Sequence, residues 1–137
     1  MTIATESSGF LAYFGETPTF LSSAVGVNGN DPIELFLNGL VVDVFGEVNV
    51  DGTGQPWEYL DGFAYRTDGS LPNSFFQISQ WNLSGTNALD GCNSNAACGS
   101  IFPLKSFGVG VALPTSSPTK EVSVFLDHVH FAKCYSN

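Results

Sequence analysis

The chain has 137 residues, enough for one domain with a single core and too few for a second sizeable one. Charged residues make up only 12%, against roughly 25% in an average soluble domain, while Gly numbers 15 and Phe 12, a balance that favours short strands and loops over long helices. Thirteen acidic residues against four basic ones give a formal net charge of -9, which argues against direct nucleic-acid binding, since neutralising phosphates takes Lys and Arg, and suits divalent cations or cationic partners.

In chain order, residues 2–5 read as a short strand and Ser7–Phe14 as a short helix, capped by Ser7 or Ser8 and stopped by Gly15. Residues 18–25 read as an extended loop leading to a turn at Asn28-Gly29. The strongest local signal follows. Ile33–Leu37 and Leu40–Phe45 flank Asn38-Gly39, the dipeptide favoured in a two-residue type I′ hairpin because both positions tolerate positive φ. That turn predicts a register in which Leu37 faces Leu40, Leu35 faces Val42 and Ile33 faces Val44, one apolar face directed at a core. On the other face it sets Glu34 opposite Asp43. Solvent, a bound cation or Arg66 would relieve the repulsion between these carboxylates.

Beyond Val50 the alternation stops in a Gly-rich acidic loop. Asp51, Thr53, Glu58 and Asp61 offer the hard oxygen ligands that Ca²⁺ prefers, although their spacing is not that of a twelve-residue EF-hand loop. The competing reading is an Asp-Gly turn whose side chain bonds its own backbone. Trp57, Tyr59, Phe63 and Tyr65 form the densest aromatic cluster. A tight turn at Asp61-Gly62 would bring Trp57 opposite Arg66 and Tyr59 opposite Ala64, so that an aromatic and a guanidinium stack. Exposed, Trp57, Tyr59 and Arg66 would bind a sugar ring or a protein partner. Buried, the aromatics would close the core, and the exposure of Trp57 decides between the two.

Residues 75–78 read as a strand or an irregular edge, Asn82-Leu83-Ser84 is a glycosylation-type sequon, and residues 84–90 read as a loop whose Asn and Asp side chains satisfy backbone groups. Cys92 and Cys98 bracket a short polar stretch. Their spacing and the lack of neighbouring His favour a disulfide over zinc, and with it an oxidising compartment. Cys134 is left over. Residues 108–120 read as a linker and residues 121–137 as a strand extension, in which Val122, Val124, Leu126, His128 and His130 share a face. His128 and His130 have a metal-ligand spacing but no carboxylate or Cys beside them on that face.

Four stretches, NGNDPIELFLNGLVVDVFGEV, VDGTGQPWEY, DGFAYR and WNLSGTNALDG, resemble the later part of a lamin-tail-like domain, and the resemblance covers residues 2–103. It implies an all-β, immunoglobulin-like antiparallel β-sandwich with one short helix near residues 7–14, occupying residues 1–107, of the kind found in extracellular and surface proteins of environmental microbes beside nucleases or phosphatases. On this reading the family's first strands precede the sequence. MTIATESSGF lacks the basic and apolar regions of a signal peptide. The implied function is a noncatalytic binding or adhesion module for a protein or carbohydrate ligand. No Gly-x-Ser-x-Gly elbow and no phosphate-cradling Gly motif occurs. A Ca²⁺-dependent carbohydrate-binding domain or small secreted hydrolase built on the loop from Asp51 to Asp61 is the alternative. No apolar run is long enough to span a membrane. An uncovered sheet edge would invite the tail strand, or a second copy as a homodimer.

Overall fold

The structure, a computed structural model, describes residues 2–104 together with residues 131 and 132. It is a β-rich fold of short strands and coil with one α-helix, and its strands form three small sheets. The first pairs β1 (Ile3–Ala4) with β2 (Phe20–Leu21) in parallel, the connection between them carrying helix α1 (Ser7–Phe14). A parallel pair needs such a crossover, so this corner departs from the all-antiparallel expectation. The helix is capped by Glu6, not by Ser7 or Ser8: its carboxylate accepts from the Gly9 N–H at 2.7 Å and from the Ser8 hydroxyl. Gly15 ends it as predicted, in the left-handed region with its N–H on the Leu11 carbonyl.

The second sheet is the predicted hairpin of β3 (Ile33–Leu37) and β4 (Leu40–Phe45). Asn38 and Gly39 have φ of 51° and 80°, the paired positive values a type I′ turn requires. The register holds only at the turn, where Leu37 faces Leu40. A bulge follows, so that Phe36 faces Val41 but Leu35 faces Asp43, Glu34 faces Val44 and Ile33 faces Phe45. The extra residue is Val42. The predicted opposition of Glu34 and Asp43 is therefore wrong: the bulge separates the two carboxylates, leaving Glu34 exposed and drawing Asp43 inward.

The third sheet has the order β6, β5, β7, with β5 (Phe63–Arg66) antiparallel to both β6 (Trp81–Leu83) and β7 (Phe131–Ala132). Of the two readings for residues 75–78, a strand or an irregular segment, the structure has the irregular one up to a 3₁₀ turn at Ile78–Gln80, and the strand begins after it, at β6. Asp61-Gly62 does turn the chain into β5, with Asp61 at φ 49°, but the residues before it are not a strand. The Tyr59 N–H instead donates to the Gly29 carbonyl at 2.9 Å. Gly29, at φ 100°, sits so close that a Cβ there would fall 2.6 Å from the Leu60 backbone. The predicted oppositions of Trp57 with Arg66 and Tyr59 with Ala64 are thus replaced by a loop clamped onto residues 29 and 30. In β5, Ala64 faces Leu83 and Arg66 faces Trp81.

These elements meet in an aromatic core of Phe45, Trp57, Tyr59, Ala64 and Trp81. Phe45 is its hub, edge-on to Trp81, Tyr59, Phe76 and Trp57 with centroids 4.8, 5.4, 5.5 and 6.0 Å away, the geometry that aromatic quadrupoles favour. A second lobe is closed by the predicted Cys92–Cys98 disulfide. There the Asn95 amide brackets the Phe102 backbone, donating to its carbonyl at 2.9 Å and accepting its N–H at 2.8 Å. Phe102 is driven edge-on against Phe63 and Phe14, joining this lobe to β5 and to the helix. The linker, His128, His130, Cys134 and the face shared by residues 122–130 lie outside the described residues; of the expected tail strand, only β7 is described, paired with β5.

Candidate functional site

Arg66 is where the hairpin and the third sheet are tied together. Its guanidinium lies over the Trp81 ring, 4.4 Å from the centroid, and donates to both carboxylate oxygens of Asp43 and, at 3.1 Å, to Gln80 Oε1. Asp43 also accepts the Asn73 N–H at 3.1 Å and its neighbour's, Val44, at 2.9 Å. Burying one charge alone would be costly, but here a guanidinium, a carboxylate and two backbone donors satisfy one another. Of the ways to compensate Asp43, Arg66 is the one used. The indole it stacks on belongs to Trp81, not Trp57, because β6 supplies the neighbouring strand.

Trp57 is 1% exposed and Tyr59 is equally enclosed, so both belong to the core and the aromatic strip is not a surface. Burial, and then the charge of Asp31, push the Tyr59 phenol above its ordinary value, so its hydroxyl stays protonated. The tips of Trp57, Tyr59 and Trp81 find no hydrogen-bond partner among the described residues. Their contribution is therefore apolar area and edge-to-face contact.

In the loop at residues 51–61, Asp51 and Glu58 accept hydrogen bonds from the protein, while Asp61 Oδ1 is buried with no hydrogen-bond partner among the described residues. Asp51 Oδ1 accepts the Thr53 N–H at 3.0 Å, the Thr53 hydroxyl at 2.8 Å and the Asn30 amide at 3.2 Å. The Thr53 N–H, its hydroxyl and then Asn30 hold the Asp51 carboxyl below its ordinary value. Glu58 accepts the Gly54 N–H at 2.7 Å, and Asp61 sits at the turn into β5. This is the side-chain-to-backbone turn that competed with the calcium reading. Among the described residues, no three His, Cys, Asp or Glu gather in a way that could hold a metal ion.

What the surface does offer is apolar, at a place where patterning pointed inward. Leu37 and Leu40 were expected to face a core, yet the ribbon runs past the core and leaves them 45% and 71% exposed, with Phe36 at 56%. Residues 71–75 are hung on β4 by the Asn73 N–H bond to Asp43, and the Asn73 side chain in turn accepts the Phe75 N–H at 3.0 Å. Leu71 and Phe75 emerge from this loop 62% and 75% exposed. With the bulge counted, Asp43 shares a ribbon face with Leu37 and Leu40, while Phe36 and Glu34 lie on the opposite face. The end of the hairpin is therefore apolar and exposed on both faces. No family model, curated protein or solved structure matches the chain.

Proposed function

We propose that the protein is a noncatalytic, extracellular binding module, similar to a lamin-tail-like domain, in which a rigid β scaffold presents an apolar tip to a macromolecular partner. One observation supports the reading: Arg66 and Asp43 are spent on each other and Asp51 and Glu58 on turns, while the end of the hairpin presents Phe36, Leu37 and Leu40 to solvent. Exposed apolar groupings on the order of a few hundred Å² mark interaction surfaces in soluble proteins. In this reading the hairpin and the β5 and β6 strands belong to two facing sheets of an immunoglobulin-like sandwich. The Cys92–Cys98 disulfide supports a location outside reducing compartments. Among the described residues no helix is long and apolar enough to cross a membrane.

The test is incubation with polysaccharides and nucleic acids, with and without Ca²⁺, alongside thermal unfolding under the same calcium titration. A binding module gives no turnover and an unchanged Tm, since only a ligand held by the native state raises apparent stability. Turnover that disappears in Glu58→Gln, or a Tm that climbs with Ca²⁺, would replace this reading with the hydrolase or calcium-dependent alternative.

A further inference from the structure

Two asparagines in the chain precede glycine, Asn28 and Asn38; the others, apart from the last residue, precede a residue with a side chain. The difference is chemical. An asparagine carboxamide is open to attack by the amide nitrogen of the next residue, and glycine, lacking a Cβ, hinders that approach least. In a folded chain the attack also requires that both groups be free to meet, and here the two sites part.

At the hairpin end both groups are free. Asn38 and Gly39 are exposed, and neither the Asn38 side chain nor the Gly39 N–H bonds to another described residue. Nothing lies within 4 Å of the place a Cβ on Gly39 would take. The flanking Leu37 and Leu40 are exposed as well, so no packed side chain holds this turn against local opening. At Asn28 the nucleophile is locked in place. Gly29 is buried, its carbonyl accepts the Tyr59 N–H at 2.9 Å, and a Cβ on it would fall 2.6 Å from the Leu60 backbone. The N–H of Asn28 is itself held by Asp31 Oδ2 at 3.3 Å. Swinging the Gly29 nitrogen toward the Asn28 carboxamide would break the clamp between residue 29 and residues 59 and 60.

We propose that Asn38 is a site of spontaneous covalent modification, with Gly39 as its internal nucleophile and water as the co-reactant. The Gly39 nitrogen gives up its proton to solvent base and bonds to Asn38 Cγ. The bond from Cγ to Nδ2 breaks, and the nitrogen leaves as ammonia. Water then opens the five-membered imide at the side-chain carbonyl, giving aspartate, or at the main-chain carbonyl, giving isoaspartate. No electron pair passes to an outside acceptor. Either product places a new negative charge at the hairpin end, beside the exposed Leu37 and Leu40, and isoaspartate also adds a carbon to the main chain of a two-residue turn. The proposal is independent of the binding-module reading.

The full-length chain should be aged at mildly alkaline pH, folded and in urea, and the extent of conversion at each asparagine read by peptide mass spectrometry with isoaspartyl methyltransferase labelling. In the folded chain Asn38 should convert at least about tenfold faster than Asn28, because only the hairpin end opens at low cost. In urea the two should convert at similar rates. Asn38→Gln, whose longer side chain closes the ring poorly, should remove most of the isoaspartate label from the folded protein, and Asn28→Gln should leave it unchanged. Absence of conversion at Asn38 in the folded chain, equal conversion at the two sites there, or a label that survives Asn38→Gln would overturn the assignment.

Discussion

The two ends of one β-ribbon differ more than its sequence does. At the base, Asp43, Val44 and Phe45 are enclosed, with Phe45 at the centre of an aromatic cluster and Asp43 held by Arg66 and Asn73. At the tip, Phe36, Leu37 and Leu40 are as apolar as the base and stand in water. The difference teaches that alternation reports which residues share a face, not whether anything lies against that face. What separates the ends is tertiary: the third sheet and the loop of residues 51–60 reach the base and stop there. The base is packed and the tip is exposed.

The division breaks first if the hub is not a hub. Phe45→Ala removes a ring that meets four aromatic neighbours and should cost about 3–5 kcal/mol, read as a lower urea midpoint; a loss below about 1 kcal/mol would mean the core closes without it. Arg66→Met follows. It leaves the Asp43 carboxylate enclosed without its cation and should cost about 3 kcal/mol, whereas Arg66→Lys should recover part of that loss by keeping the charge while losing the fork and the stack on Trp81. Equal stability of Arg66→Met and the wild type would show that the pair does not hold the base.

The disulfide lobe is a control outside the ribbon. Replacing both Cys92 and Cys98 with Ser opens a loop with a sequence separation of 6 and should lower stability by about 2 kcal/mol, a loss that adds to that of Arg66→Met. A combined loss far from the sum would join the two regions. Acid sharpens the picture further. The Asp51 carboxyl is held below its ordinary value by Thr53 and Asn30, so its contribution is complete above that ordinary value and fades as pH falls through the lowered one. Asp51→Asn should therefore lag the wild type at neutral pH and approach it in acid, in parallel melts. A gap that is constant with pH would mean the carboxylate form is not what the turn uses. Leu40→Ser should change stability least of all, by less than about 0.5 kcal/mol, and a large loss would put Leu40 in the core after all.

The same contrast explains what could be read from the residues and what could not. The type I′ hairpin was legible because Asn38-Gly39 acts through local φ preference, and the Cys92–Cys98 bridge because spacing and chemistry left few alternatives. Gly15 as the helix stop was legible for the same local reason. The bulge at Val42 was not, since it sets Asp43 opposite Leu35, where the carboxylate meets Arg66, 23 residues on, and Asn73, 30 residues on. Nor was the indole under Arg66: a turn at Asp61-Gly62 pointed to Trp57, whereas Trp81 starts the strand that pairs with β5. Glu6 as the helix cap escaped because its side chain reaches the Gly9 N–H in a role that Ser, Thr, Asp and Asn usually fill. The apolar tip was misread as core because only the absence of a covering layer distinguishes the two.

Amide hydrogen–deuterium exchange of the full-length chain tests most directly whether the ribbon is packed at its base and open at its tip. Residues 43–45 and 57–64 should exchange slowly because they belong to the core, and residues 36–41 should exchange fast. Protection at residues 36–41 equal to that at residues 43–45 would contradict the division and put a covering layer over the tip.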